Sequence, residues 1–284
     1  MSSVVAGVAL AALASVLFNA AIVIQASEAR AVPDAHGLHL SLIGRLIRRP
    51  RWLLGAALGL SAFPLQTVAL LWAPVTAVQP ADAAGLLVLL FLGARLLKER
   101  VGRREIFAVA AIIVGIVVLT LAAPKREVTY VDSADVLVPL LLVGLAAFAP
   151  LLLRRWIRVD SIFVVIGAGF AFALGAFCAK LVADGIDRHL WAAVAAMLVV
   201  AALAALVGTL TEQTALQQRQ ATQVAPIIFA VELVVPVALA VLVVGEDWES
   251  SSTIGVAAAF ALVVGGAYTL GRAPTVARMF EAGS

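Results

Sequence analysis

An all-α, polytopic membrane fold is what this sequence predicts, and three observations predict it. The 284 residues are 63% hydrophobic, with a mean hydropathy of +1.09. Only 13% are charged, where a soluble domain of this size carries about a quarter. The apolar residues fall into blocks near the ~20-residue length that crosses a bilayer. No polar region is long enough to form a separate soluble domain.

Nine such blocks lie at about 4–26, 52–73, 75–97, 105–123, 136–153, 161–182, 190–211, 222–244 and 254–271. Each is expected to be a helix, because hydrocarbon offers no partner for an open strand edge. The first follows no basic start and is too long for a signal-peptide core, so it reads as a retained span. After it comes the longest polar loop, with Leu38, Leu42 and Leu46 spaced against Arg45, Arg48 and Arg49. That spacing fits either an interfacial helix on an anionic leaflet or a plain orientation anchor.

The loops alternate in charge. Sixteen of the twenty Lys and Arg fall in the loops after the first, third, fifth, seventh and ninth spans. The opposite loops hold Lys125, Arg126 and Arg188 and are otherwise acidic. The positive-inside rule then places the N-terminus outside the cell membrane and the C-terminus in the cytoplasm. The net charge is only +3; the basic residues are orientation signals, and no nucleic-acid partner is expected. The single cysteine, Cys178, lies in an apolar run and reads as a packing residue.

Two stretches of the chain repeat. ALLWAPVTAVQP at 69–80 aligns with ALQQRQATQVAP at 215–226, pairing Thr76 with Thr222, Val78 with Val224 and Pro80 with Pro226. Further on, Glu99 pairs with Glu246, and Val114-Gly115 with Val264-Gly265 at an offset of 150. Spans 1–4 then correspond to spans 6–9, divided as 1–123 and 124–284. An offset of five spans turns equivalent helices in opposite directions. This inverted repeat, four spans plus five, is a transporter signature that puts the substrate site near the midplane.

With these motifs in place the chain resembles the drug/metabolite transporter superfamily, in its EamA-like form. APVTAVQP at 73–80, LGARLLKER at 92–100 and the glycine of IIVGIVVL at 115 look like the end of an EamA half. The motif is closer still to NIPA-like magnesium transporters, whose A-P-A-T-x-V-x-P-L-G-A corresponds to Ala73–Ala83 here. Their second-half motif corresponds to Thr222-Gln223-Val224-Ala225-Pro226, and their Lys-Asp-Trp to Glu246-Asp247-Trp248. Two departures bear on magnesium: Ala62-Phe63 stand where those proteins carry Gly-Glu, and Asp82 where they carry Gly. The resemblance implies nine helices, transport of a small solute and no cofactor.

The candidate site residues are the polar ones inside spans, where an unused charge is expensive. Thr76, Gln79 and Asp82 recur every three residues along span 3. Glu232 lies in the middle of span 8, and Glu212 near the end of span 7. Ser15 and Asn19 are one turn apart on span 1; Gln66 and Thr67 lie in span 2. Each of these pairs would either join helices or line a cavity. Lys180 in span 6 is either a snorkelling side chain paired with Asp184 or a counter-ion to the carboxylates. Pro80 and Pro226 are expected to break helices 3 and 8 and to free a carbonyl one turn back.

No phosphate-binding loop, His/Cys metal cluster or Ser–His pair is present. The expectation is therefore not an enzyme but a secondary transporter or facilitator. A small-molecule or ion substrate and membrane lipid would be its partners, with a homodimer left open. The excess of intramembrane carboxylates favours a cation or an amine-bearing metabolite. Magnesium transport and a non-transporting structural subunit are the alternatives; whether a metal binds is left open.

Overall fold

The structure is a computed structural model that describes residues 2–33, 37–73, 75–122, 133–154, 156, 160–187, 189–244 and 250–272. Inside these helices a few side chains, including those of Thr76 and Lys180, fall outside the description. Every regular element among the described residues is a helix: α1 Ser2–Ala29, α2 Leu40–Leu46, α3 Pro50–Trp72, α4 Val75–Leu96, α5 Arg103–Ala122, α6 Ser133–Leu153, α7 Ser161–Asp187, α8 Trp191–Gln218, α9 Ala221–Val244 and α10 Ser250–Gly271. Six of them are long and apolar enough to cross a membrane over their described residues. Three shorter apolar segments lie at Leu137–Leu153, Ala221–Val235 and Gly255–Gly271. The chain is a multi-pass helical membrane protein.

Many large apolar side chains face outward, among them Phe63, Leu71, Phe107 and Leu145. In water such a surface would be a liability; in lipid it is the solvent-facing side. The helices therefore meet through small residues, which let backbones approach without a hydrophobic drive.

The chain forms two compact units. The first comprises residues 1–125, 216–226 and 248–284; the second comprises 126–215 and 227–247. This division differs from the two repeat halves: α10 and the α8–α9 elbow belong with the N-terminal helices. Helices α8 and α9 each cross from one unit to the other.

In the first unit α1 and α3 run antiparallel along a seam of small residues. Gly7 sits against Ala69 and Ala73, while Gly55 sits against Ala21 and Gln25. Helix α4 closes on α1 at Gly85, which lies directly under Ser15 and Asn19. Helices α5 and α10 also cross antiparallel. Gly115 meets Ala259, Leu262 and Val263, and Gly266 meets Ala108 and Ile112. Each of these two helices thus turns a glycine toward the other.

The loop after α1 folds back as α2. Leu38, Leu42 and Leu46 are buried, so the leucine face that the interfacial-helix alternative would lay on the leaflet is turned into the protein. The apolar side chains left outward are Leu40 and Ile47. Arg49 fixes the segment: it donates to Glu28 at 2.9 Å and to the Ala31 carbonyl at 3.1 Å.

In the second unit α7 is the central helix. Gly167 abuts Pro150 of α6, Gly169 abuts Val231 of α9, and Phe172 covers Gly208 of α8. Cys178 packs with Val143, Leu174 and Ala204, the packing role expected of it. A small apolar crevice beside them is lined by Pro139, Leu140, Phe177 and Val235.

Neither expected break occurs. Helix α4 continues through Pro80 and α9 through Pro226. Each ring removes one rung by lacking an N–H, and the remaining rungs of helices of 22 and 24 residues hold the axis together. The carbonyl each proline frees, four residues back, belongs to a threonine of the repeated motif: Thr76 and Thr222.

Candidate functional site

A polar cluster forms inside the first unit where α1, α3 and α4 meet. It begins with Gly85. A Cβ at that position would stand 1.8 Å from the Ser15 hydroxyl oxygen and 2.8 Å from the Asn19 amide nitrogen. The glycine therefore lets the polar turn of α1 lie directly on α4. Ser15 donates its hydroxyl to the Asp82 carbonyl at 2.8 Å. Asn19 donates back to the Ser15 carbonyl at 2.8 Å. Both side chains are buried.

From the other side α3 supplies Gln66, whose amide nitrogen donates to Asp82 Oδ2. Asp82 itself is half-buried. Among the described residues no basic side chain pairs with it, and its Oδ1 accepts no hydrogen bond. The result is a carboxylate deep in a span, held by one neutral amide, with one oxygen still open. Such a group seeks a cation, a proton or an ammonium.

Four residues nominated from sequence, Ser15, Asn19, Gln66 and Asp82, thus come together. Thr67 does not join them; its hydroxyl bonds to the Phe63 carbonyl of its own helix. Gln79 is half-buried one turn before Asp82 on α4. The side chains of Thr76 and Lys180 lie outside the described residues, and so does the Asp184 side chain proposed as the lysine's partner.

The second unit holds its own carboxylates. Glu212 on α8 and Glu232 on α9 are both half-buried. Among the described residues no group of three or more His, Cys, Asp or Glu side chains is placed to hold a metal ion.

A third constellation was not nominated from sequence. Glu99 follows α4 in the basic stretch LLKER yet is only 8% exposed. Lys98 turns the chain with a positive φ of 53°, and the Glu99 N–H returns to the Gly93 carbonyl at 3.1 Å. This aims the carboxylate at the start of α9. Its Oε1 accepts from the Ala221 N–H at 2.7 Å, and its Oε2 from the Thr222 N–H at 3.0 Å and the Thr222 hydroxyl at 2.6 Å. Arg30, from the end of α1, donates to Oε1 at 2.5 Å. A carboxylate at a helix N-terminus satisfies N–H groups that have no helical partner and complements the helix dipole. The signal in the sequence was a lone acid among five basic residues, six positions after a glycine.

No family model matches the chain, and no solved structure matches it. The chain is similar to an uncharacterized protein of Corynebacterium glutamicum, with 27% identity over 232 residues. The match covers 76% of this chain and 78% of that protein.

Proposed function

We propose that the protein is a secondary transporter or facilitator of the drug/metabolite transporter kind, moving a small cation or amine-bearing solute. One observation carries the reading: the Asp82 carboxylate lies inside a span, is held by Gln66 alone, and has no positive partner among the described residues. A charge that only packed helices together would be expected to have its partner beside it.

An inverted repeat turns equivalent helices in opposite directions, and α5 and α10, paired by the sequence offset, cross antiparallel. In this reading nine helices form a 4+5 bundle. Asp82, Gln79, Gln66 and Asn19 of the first unit contact the substrate or coupling ion, and Glu212 and Glu232 supply negative charge within the second unit.

The test is transport by the purified protein in vesicles, with Mg2+ and a panel of amines as substrates. Asp82→Asn keeps the shape and removes the charge; it is expected to lower transport at least tenfold while the protein still inserts. Glu232→Gln is expected to act the same way. Loss of Mg2+ flux alone would select the magnesium alternative. Full activity in both variants would reduce the carboxylates to packing contacts.

A further inference from the structure

One end of the first unit gathers several helix ends, all from residues that belong to that unit. Arg30, after α1, reaches both Glu99, after α4, and the Arg219 carbonyl. Arg219 in turn donates to the Gly271 carbonyl at the end of α10, at 2.9 Å. These links bring the end of α10 to the end of α4, and α5 begins soon after at Arg103. The α5–α10 crossing agrees. Gly266 meets Ala108 and Ile112 on an antiparallel partner, so further along α10 Arg272 comes level with the first turn of α5.

The described acids of this end are already in use. Glu28 accepts from Arg49 at 2.9 Å, Glu99 from Arg30 and the start of α9, and Glu105 is turned back onto the Gly102 N–H at 2.9 Å. The outer cations have no such partner. Arg95, Lys98, Arg100, Arg103, Arg104 and Arg272 are all exposed. No carboxylate among the described residues pairs with any of them. Uncompensated charge of one sign at this density makes a positive surface potential.

Beside this band the surface is apolar. Phe91, Leu96, Phe107 and Tyr268 are exposed, each within about a turn of one of the cations. Two guanidiniums rest on rings: Arg272 lies 4.5 Å from the Tyr268 centroid and Arg95 5.6 Å from that of Phe91. A ring face attracts the cation without neutralising it. Both guanidiniums are thus held where the apolar surface gives way to the charged one, and their donors stay free.

We propose that this end of the first unit binds an anionic phospholipid on the α5–α10 seam. Arg272, Arg103 and Arg104 take the headgroup phosphate, and Phe107 lies along an acyl chain. The occupant follows from the two surfaces together. A water-soluble polyanion would use the cations and leave the exposed rings without a partner. A zwitterionic lipid carries its own ammonium beside the phosphate, which offsets the attraction. An anionic phospholipid uses both surfaces: guanidiniums grip its phosphate, and the apolar side chains meet its tails. Basic pockets between membrane helices take such headgroups. The site is independent of which solute is carried, and its test needs no substrate.

Native mass spectrometry of the purified full-length protein, titrated with phosphatidylglycerol or with phosphatidylcholine of the same acyl chains, reads the site. Phosphatidylglycerol is expected to bind roughly tenfold more tightly. Arg272→Gln is expected to weaken its binding about fivefold, the value of one cation near an anionic surface, and to leave phosphatidylcholine unchanged. Tyr268→Leu keeps an apolar side chain but removes the ring under the guanidinium; a loss of about threefold is expected. Arg51→Gln removes an exposed cation that lies on α3 and not on the seam, and is expected to change nothing. Equal affinity for the two lipids, or equal losses for Arg272→Gln and Arg51→Gln, overturns the site. So does displacement of the lipid by a short single-stranded RNA at equal phosphate concentration, which would assign the cations to a soluble polyanion.

Discussion

Gly85 and Gly93 show how far a single hydrogen in place of a methyl carries in this protein. Both lie on α4 and both admit a polar neighbour: Ser15 at the first, and Thr222 with Glu99 at the second. Gly85→Ala should push α1 from α4 and weaken the Ser15–Asp82 bond. A cost of about 1–3 kcal/mol is expected for overpacking of this kind, read as a lower melting temperature in detergent. Glu99→Ala should cost more, about 3 kcal/mol, because it leaves the Arg30 guanidinium without its counter-ion and two helix-terminal amides without their acceptor. Arg30→Gln should cost less, since the carboxylate keeps its α9 donors. An equal loss for the two variants in the same melting assay would contradict this ranking. At this scale the sequence was informative about depth: Asp82, Gln66 and Asn19 stood out as polar groups inside apolar runs. It placed Glu99 in the repeat but gave no sign of its burial, since its surroundings in sequence are basic and polar. Only the return of the α8–α9 elbow beside α4 turns that residue into a buried cap.

The nine apolar blocks read from sequence fall on helices α1 and α3 to α10, and over the described residues six of these helices are long and apolar enough to cross a membrane. Their lengths were less legible. Helix α8 runs on to Gln218 and α7 to Asp187, past the apolar windows, because protein contacts and not lipid cover the polar end of α8. The helix-breaking role given to the prolines failed for a related reason: each proline lies within six residues of its helix start, and the many intact rungs that follow outweigh one deleted bond. For the short α2 the sequence left a leaflet partner and a plain anchor both open, and neither reading named the protein interior that its leucines enter. Leu42→Ala should therefore destabilise the protein by about 2–4 kcal/mol, as for any buried leucine, and do so equally in detergent and in anionic lipid. Dependence on anionic lipid would instead restore the leaflet as its partner. For the α5–α10 pair, Gly266→Ala places a methyl 2.6 Å from the Ala108 carbonyl oxygen. Backbone cannot step aside there, so this variant is expected to lose more stability than Gly265→Ala, whose Cβ meets nothing within 4 Å.

For the whole molecule, the charge alternation of the loops makes a checkable statement about sidedness. A cysteine at Gly102, in the basic loop before α5, should be shielded from a membrane-impermeant reagent in intact cells. One at His189, between α7 and α8, should be labelled. The reverse pattern would invert the orientation derived from the positive-inside rule.

The unequal lengths of the helices have a consequence of their own. Helices α1 and α8 each span 28 residues and α5 only 20. At the helical rise the long pair reaches about 42 Å and the short one about 30 Å, against a hydrocarbon layer of roughly 30 Å. The long helices must tilt or project beyond the acyl chains, while α5 just fills them. Bilayer thickness thereby becomes a variable that acts on this protein: thinner membranes expose more of α1 and α8, and thicker ones ask α5 to stretch the lipid inward. Melting temperature measured across phosphatidylcholines of graded acyl length should pass through a maximum, at the thickness where these opposing mismatches balance.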